Sequence, residues 1–144
     1  MKKNEHRYLL DRKGFTLIEL LVVMVILAML AAIVGPRLFK NVGKGKQSTA
    51  KTQIEMLGQA LDSYRLDTGH YPTTSEGLTA LMTNSGATGW DGPYLKKETV
   101  PNDPWLKPYQ YQSPGTHGDY DLFSYGADGA PGGEGENKDV NSWE

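Results

Sequence analysis

A chain of 144 residues with 38% hydrophobic residues has room for one small domain, and no cysteine is present to staple it. The net charge of −2 gives no basic footprint, which argues against a nucleic-acid partner. With disulfides excluded, metal coordination is the obvious alternative brace for a polar domain containing 17 glycines.

The chain opens with a basic leader, in which Lys2, Lys3, Arg7, Arg12 and Lys13 outweigh Glu5 and Asp11 before Gly14, a net +3. From Phe15 to Val34 every residue is apolar except Thr16 and Glu19. About twenty such residues rise ~30 Å as a helix, the thickness of a bilayer's hydrocarbon core. A carboxylate in such a run costs about 2.5–3.5 kcal/mol at a helix centre and less near its edge, so Glu19 needs compensation. Two simpler readings are a secretory signal peptide, removed entirely, and a plain single-pass anchor in which Glu19 is incidental. The run is longer than a signal peptide's apolar region, and Ala28 to Gly35 holds no pair of small residues two apart. Length and polarity go no further than that. Nor does charge fix the orientation, because Arg37, Lys40, Lys44, Lys46 and Lys51 follow the run as closely as the leader's bases precede it.

Gly35-Pro36 interrupts the helical pattern, either as a helix end or as a kink or meltable segment within a longer helix. The second reading is expected, because the pattern resumes at Ala50, Ile54, Leu57, Leu61 and Tyr64 as one apolar stripe. Gly58 in that stretch marks a close backbone approach, and Gly69 supplies a C-cap ahead of Tyr71-Pro72. A helix from Phe15 to Thr68 would run ~80 Å, longer than an isolated soluble domain requires.

Beyond the helix, Thr74 or Ser75 is expected to cap a short helix reaching about Met82, with Leu78, Leu81 and Met82 on the stripe. Thr83 to Trp90 reads as loop, and prolines 93, 101, 104 and 108 leave little regular structure after it. Strands are expected at Tyr109–Gln112 and Tyr120–Tyr125, joined through SPGTHGD as a hairpin with one face on the helix. Their tyrosines read as core packing.

From Asp119 onward seven acids (Asp119, Asp121, Asp128, Glu134, Glu136, Asp139, Glu144) face only Lys138. Such a glycine-rich, like-charged tail is disordered unaided, yet Val140 and Trp143 suggest that it docks. Calcium, which takes six to eight oxygens in flexible geometry, would reconcile the two. The tail is not an EF-hand, since Ala130 and Gly132 stand where that loop needs side-chain oxygens. Nor is GGEGENKDV a calcium nonapeptide repeat, being a single copy with Asp139 at an apolar position. No catalytic signature is present, and His6, His70 and His117 are scattered, so no enzyme is expected.

KGFTLIELLVVMVIL, from Lys13 to Leu27, resembles the prepilin signature of type IV pilins and of secretion and competence pseudopilins. That resemblance implies cleavage after Gly14 on the cytoplasmic side, by a membrane-embedded peptidase that also methylates the new amino terminus at Phe15. It places the family's glutamate at Glu19, where it would pair with the Phe15 amine of a neighbouring subunit; an internal pair one turn apart is the alternative. Thr16 and Pro36 join Glu19 as assembly candidates. Loss of the leader would take the net charge from −2 to −5.

GPYL (92–95), DPW (103–105), PYQY (108–111), PG (114–115), YDLFSYGADG (120–129) and the GGEG tail resemble the major pseudopilin of the type II secretion system. Leu106 departs from the glycine often found after DPW in that family. The resemblance implies an α+β, pilin-like fold: a long N-terminal transmembrane and rod helix packed on a small antiparallel sheet, with a calcium-stabilised C-terminal loop. It divides the chain into a cleaved leader (1–14), a transmembrane and assembly helix (15–34), its periplasmic continuation (35–69) and a globular head (70–144). It makes Asp128 and Asp139 the side-chain calcium ligands, with carbonyls from Tyr125 and Ala130. The implied function is that of an inner-membrane protein, its head in the periplasm, polymerising into a filament that helps export folded proteins. The implied partners are further copies, minor pseudopilins, the prepilin peptidase/methyltransferase and the inner-membrane assembly platform. A type IV pilin, a competence pseudopilin and an anchored periplasmic binding module are the alternatives.

Overall fold

The structure, a computed structural model, describes residues 14–144; the leader bases and acids before Gly14 lie outside the described residues. Its elements in order are α1 (Leu17–Thr68), a 3₁₀ turn (Gly77–Leu81), β1 (Gln110–Gln112), β2 (Asp121–Ser124), a second 3₁₀ turn (Gly135–Asn137) and β3 (Val140–Asn141). The chain divides into two compact units, Met1–Leu38 and Phe39–Glu144, so the second half of α1 belongs with the head.

In the first unit α1 has no core of its own. Each large apolar side chain from Phe15 to Val34 is at least 45% exposed. Among the described residues, α1 is the one helix long and apolar enough to cross a membrane. Pro36 lies inside α1, so Gly35-Pro36 does not end the helix.

In the second unit the expected stripe is buried: Ala50, Ile54, Leu57, Leu61 and Tyr64, joined by Ala60, face the core. They meet Leu78, Ala80, Leu81, Leu95, Tyr109, Leu122 and Val140. Gly58 is small for the expected reason, since a Cβ there would stand 3.0 Å from the Tyr120 hydroxyl. Gly69 ends the helix at φ 84°, a left-handed cap whose N–H donates to the Arg65 carbonyl at 2.8 Å.

The short helix differs from expectation. It is a 3₁₀ turn beginning at Gly77, and neither Thr74 nor Ser75 caps it. A reciprocal box one residue earlier takes the chain instead: Thr73 N–H donates to Glu76 Oε2 at 2.8 Å, and Glu76 N–H to Thr73 Oγ1 at 3.3 Å. Thr74 is diverted to the sheet, its hydroxyl donating to the Ser113 carbonyl and accepting from the Ser113 N–H.

The sheet is antiparallel in the order β1-β2-β3, with Tyr111 opposite Leu122 and Ser124 opposite Val140. Both strands of the expected hairpin are shorter than predicted, and β3 was not expected as a strand at all. Leu122 is buried in the core beside β1. Tyr109, Tyr111 and Tyr120 join the core as expected of the tyrosines, but Tyr125 does not, lying with Phe123 on the opposite face by the two-residue period of a strand. There Phe123 packs edge-on against Tyr125 and Trp143.

Candidate functional site

Two regions carry functional chemistry. The first is the start of α1. Gly14 and Phe15 precede the helix, and Phe15 is 88% exposed. Thr16 and Glu19 form a reciprocal cap: the Thr16 N–H and hydroxyl donate to Glu19 Oε2 at 2.8 and 2.9 Å, and the Glu19 N–H donates to Thr16 Oγ1 at 3.2 Å. The carboxylate therefore sits in the first turn, where the helix dipole favours negative charge and the membrane penalty is smallest. Its Oε1 accepts no hydrogen bond among the described residues. The T-x-x-E spacing of Thr16 and Glu19 is a capping signature that could have revealed this pair from sequence.

The second region is the loop from Tyr125 to Asp139. Asp139 Oδ2 accepts the Gly132 N–H at 2.9 Å, while its Oδ1 is buried with no hydrogen-bond partner. Asp128 is exposed and accepts the Ala130 N–H at 3.1 Å. The carbonyls of Tyr125 and Ala130 accept no turn or side-chain hydrogen bond among the described residues. No hydrogen bond links Asp128 with Asp139, and no group of three or more His, Asp or Glu side chains is arranged to hold a metal among the described residues. The donor set is two carboxylates and free carbonyls, the oxygen chemistry that calcium takes when main chain and water complete its shell. Of these, the one atom that calls for a partner is the buried, unpaired Asp139 Oδ1, because leaving a carboxylate oxygen unsatisfied is costly.

The loop is tight and held from outside. Gly126 has φ 67°, and a Cβ there would stand 2.7 Å from the Glu136 carbonyl oxygen and 2.9 Å from that of Lys138. Lys107 Nζ donates to the Ala127 carbonyl at 2.6 Å and the Gly126 carbonyl at 3.4 Å. Gln47 Nε2, from α1, donates to the carbonyls of Lys138 at 2.8 Å, Gly135 at 3.1 Å and Glu136 at 3.4 Å. Beneath Lys107, buried Asp103 accepts the N–H groups of Trp105 and Lys107 at 3.0 and 2.8 Å, and the Ser124 hydroxyl on its other oxygen. This turn puts Leu106 at φ 66° and leaves it 83% exposed, a left-handed conformation that favours glycine over a residue with a side chain.

Sequence reading missed Gln47, Lys107, Asp103 and Ser124. Gln47 had a signal, a polar residue three before Ala50 on the apolar stripe. Asp103 before Pro104 is a turn initiator. Nothing local distinguishes Lys107 from a solvated lysine.

The opposite sheet face carries a separate polar pin. Asp121, 3% exposed, accepts the Thr116 and His117 N–H groups at 2.9 and 3.0 Å and faces His117 Nδ1 at 3.1 Å. Burial pushes its carboxyl up, but these donors together outweigh it and hold the group down at about 2. The His117 ring stacks on Trp143 at 4.0 Å, fixing the chain end. Burial also raises the Tyr111 hydroxyl to about 12, keeping it a donor to the Pro72 carbonyl at 2.8 Å.

Comparison with known proteins bears on both regions. Residues 37–143 match the family model described as type II secretion system protein G, and residues 10–35 match the prokaryotic N-terminal methylation motif. The chain is 46% identical to the type II secretion system core protein G of Pseudomonas aeruginosa, over 93% of this chain and 96% of that protein. It is 48% identical to the protein of the same description from Vibrio cholerae, over 90% of each. Its fold matches the crystal structure of the major pseudopilin from the type 2 secretion system of enterohaemorrhagic Escherichia coli. The TM-score is 0.61 at 36% identity, covering 72% of this chain and 87% of that one.

Proposed function

This chain belongs to the type II secretion system protein G family, and from that premise we propose that it is the major structural subunit of a secretion pseudopilus. Copies polymerise through their N-terminal helices into a periplasmic filament that helps move folded proteins across the outer membrane. The role is structural rather than catalytic. The observation that carries it is the exposed apolar surface of Phe15–Val34, interrupted by one carboxylate in the first turn of α1. Lipid covers that surface in the monomer, and neighbouring helices cover it in a filament.

Cleavage after Gly14 by a prepilin peptidase/methyltransferase would free an amine at Phe15 and methylate it. Glu19 then holds the partner charge: Oε2 stays with Thr16 in its own chain, and Oε1 is left to accept from the Phe15 amine of another copy. Two charges that must both lie in lipid offset each other, and the pairing sets the axial register between helices. Pro36 supplies a point where α1 yields during packing, because it removes the hydrogen bond to the Ala32 carbonyl. The leader stays in the cytoplasm and the head lies in the periplasm, with minor pseudopilins and the inner-membrane assembly platform as further partners. Calcium would be held in the C-terminal loop by Asp139 and Asp128 with the carbonyls of Tyr125 and Ala130. The chemistry it would supply there is positive charge to an acidic loop, in which Asp139 Oδ1 has no hydrogen-bond partner.

Glu19→Leu tests the central step. The variant is expected to insert and be processed, giving the mass of a chain that begins at methylated Phe15, yet to form no filaments. Filaments of normal length from this variant, or native protein retaining residues 1–14, would overturn the reading.

A further inference from the structure

The ties between Gln47 and the loop carbonyls reach further than holding the loop. We propose that Gln47 couples the state of the C-terminal loop to the helical order of α1 between Gly43 and Lys51. A cation seated in the loop then stiffens this part of the helix, and an ordered helix in turn favours the seated cation. The proposal rests on the calcium reading only for the identity of the trigger.

This part of α1 is intrinsically weak. Gly43 and Gly45 lie two apart, and each costs about 1 kcal/mol relative to alanine in a helix interior. The large apolar anchors begin only at Ile54, leaving Gly43 and Ala50 as the buried residues before it. A short, glycine-bearing stretch draws its helical order from tertiary contacts rather than from propensity.

Here two of those contacts are with the loop. Gly43 packs against the Glu136 side chain so closely that a Cβ would overlap it. Four residues on, at the same face, the Gln47 amide bridges the carbonyls of Gly135, Glu136 and Lys138. The segment that Gln47 grips runs directly into Asp139, whose buried Oδ1 has no partner of its own. With that oxygen unsatisfied, opening of the loop relieves a desolvation cost. Opening carries the three carbonyls away from Gln47 and removes the support from α1. A cation on Asp139 reverses the balance, and linkage makes the effect reciprocal.

Amide hydrogen exchange on the mature full-length protein in detergent micelles tests this, comparing saturating calcium with chelator. Peptides covering 41–51 and 126–139 are followed in the wild type, Gln47→Ala and Gly126→Ala. The last variant forces a Cβ onto the Glu136 and Lys138 carbonyls and so disturbs the loop without reference to metal. In the wild type calcium is expected to slow exchange in both peptides, in the helix by about tenfold, the effect of one or two net hydrogen bonds. In Gln47→Ala the slowing should persist in the loop and vanish from the helix, and in Gly126→Ala the helix should exchange as fast as in Gln47→Ala.

Calcium-dependent slowing that survives in the helix of Gln47→Ala overturns the proposal. So does a wild type in which the loop responds to calcium and the helix does not. If neither peptide responds, the calcium reading fails and the Gly126→Ala arm decides alone: an unchanged helix overturns the coupling, and a faster one supports it.

Discussion

Replacing Asp121 by asparagine should lower the stability of the head at neutral pH and flatten its acid limb. The carboxylate titrates at about 2 in the fold against 3.8 for the free side chain. A shift of that size corresponds to about 2 kcal/mol. The sign follows from the lowered value. The unfolded chain binds the proton more readily, so the stabilisation is complete above about pH 5, declines as pH falls through 4, and is gone below about 2. Urea unfolding of the mature protein in mild detergent, read by fluorescence of the head tryptophans at half-unit steps from pH 7 to 2.5, supplies the free energies. The wild type should lie about 2 kcal/mol above Asp121→Asn at pH 7, with the gap narrowing steadily below pH 4. Other carboxylates titrate over the same range, Glu76 among them, lowered first by the Ser85 hydroxyl. The gap between the two proteins, not the slope of either, isolates Asp121. A gap constant from pH 7 to 2.5 would refute the argument, because it would mean that the Thr116 and His117 donors do not favour the ionised form.

Two further outcomes follow from the core and the loop. Leu61→Ala, at a side chain wholly buried between α1 and the head, should cost about 2–5 kcal/mol in the same unfolding assay, and a loss under 1 kcal/mol would contradict the packing. Calcium at a hundredfold excess over its Kd should stabilise the head by about 2.7 kcal/mol, raising Tm by ~10 °C, an effect removed by chelator and blunted in Asp139→Asn; a Tm indifferent to calcium would dispose of the metal.

Periodic features were legible in the sequence because they repeat a physical requirement. The stripe from Ala50 to Tyr64 recurs at helical spacing and is buried. Phe15–Val34 announces itself by an apolar run broken only at Thr16 and Glu19. Features that depend on where distant segments meet were not legible. Val140–Asn141 is too short to carry a strand period, and it becomes a strand only because Ser124 lies beside it. Thr74 has the chemistry of a cap, but Ser113, distant in sequence, claims its hydroxyl. The acids of the tail were visible at once, whereas the amide and ammonium that grip its carbonyls come from α1 and from the turn after Asp103. Composition could raise the question of what holds the tail, and only the tertiary fold identifies Gln47 and Lys107 as part of the answer.

The two units solve the problem of apolar surface in opposite ways, which has a consequence for assembly. The head closes its core internally, with Leu57, Leu61, Tyr64, Leu81 and Leu122 all removed from solvent. The first unit closes nothing, and no residue from Phe15 to Val34 is buried. Its surface must therefore be covered by lipid or by other copies, while the head needs neither to complete its core. Transfer from lipid to a filament then exchanges one apolar environment for another, and burial gives that step little drive or specificity. Direction and register have to come from the few polar groups in the segment. Among the described residues the one ionisable side chain there is Glu19, with Oε2 committed to Thr16 and Oε1 uncommitted.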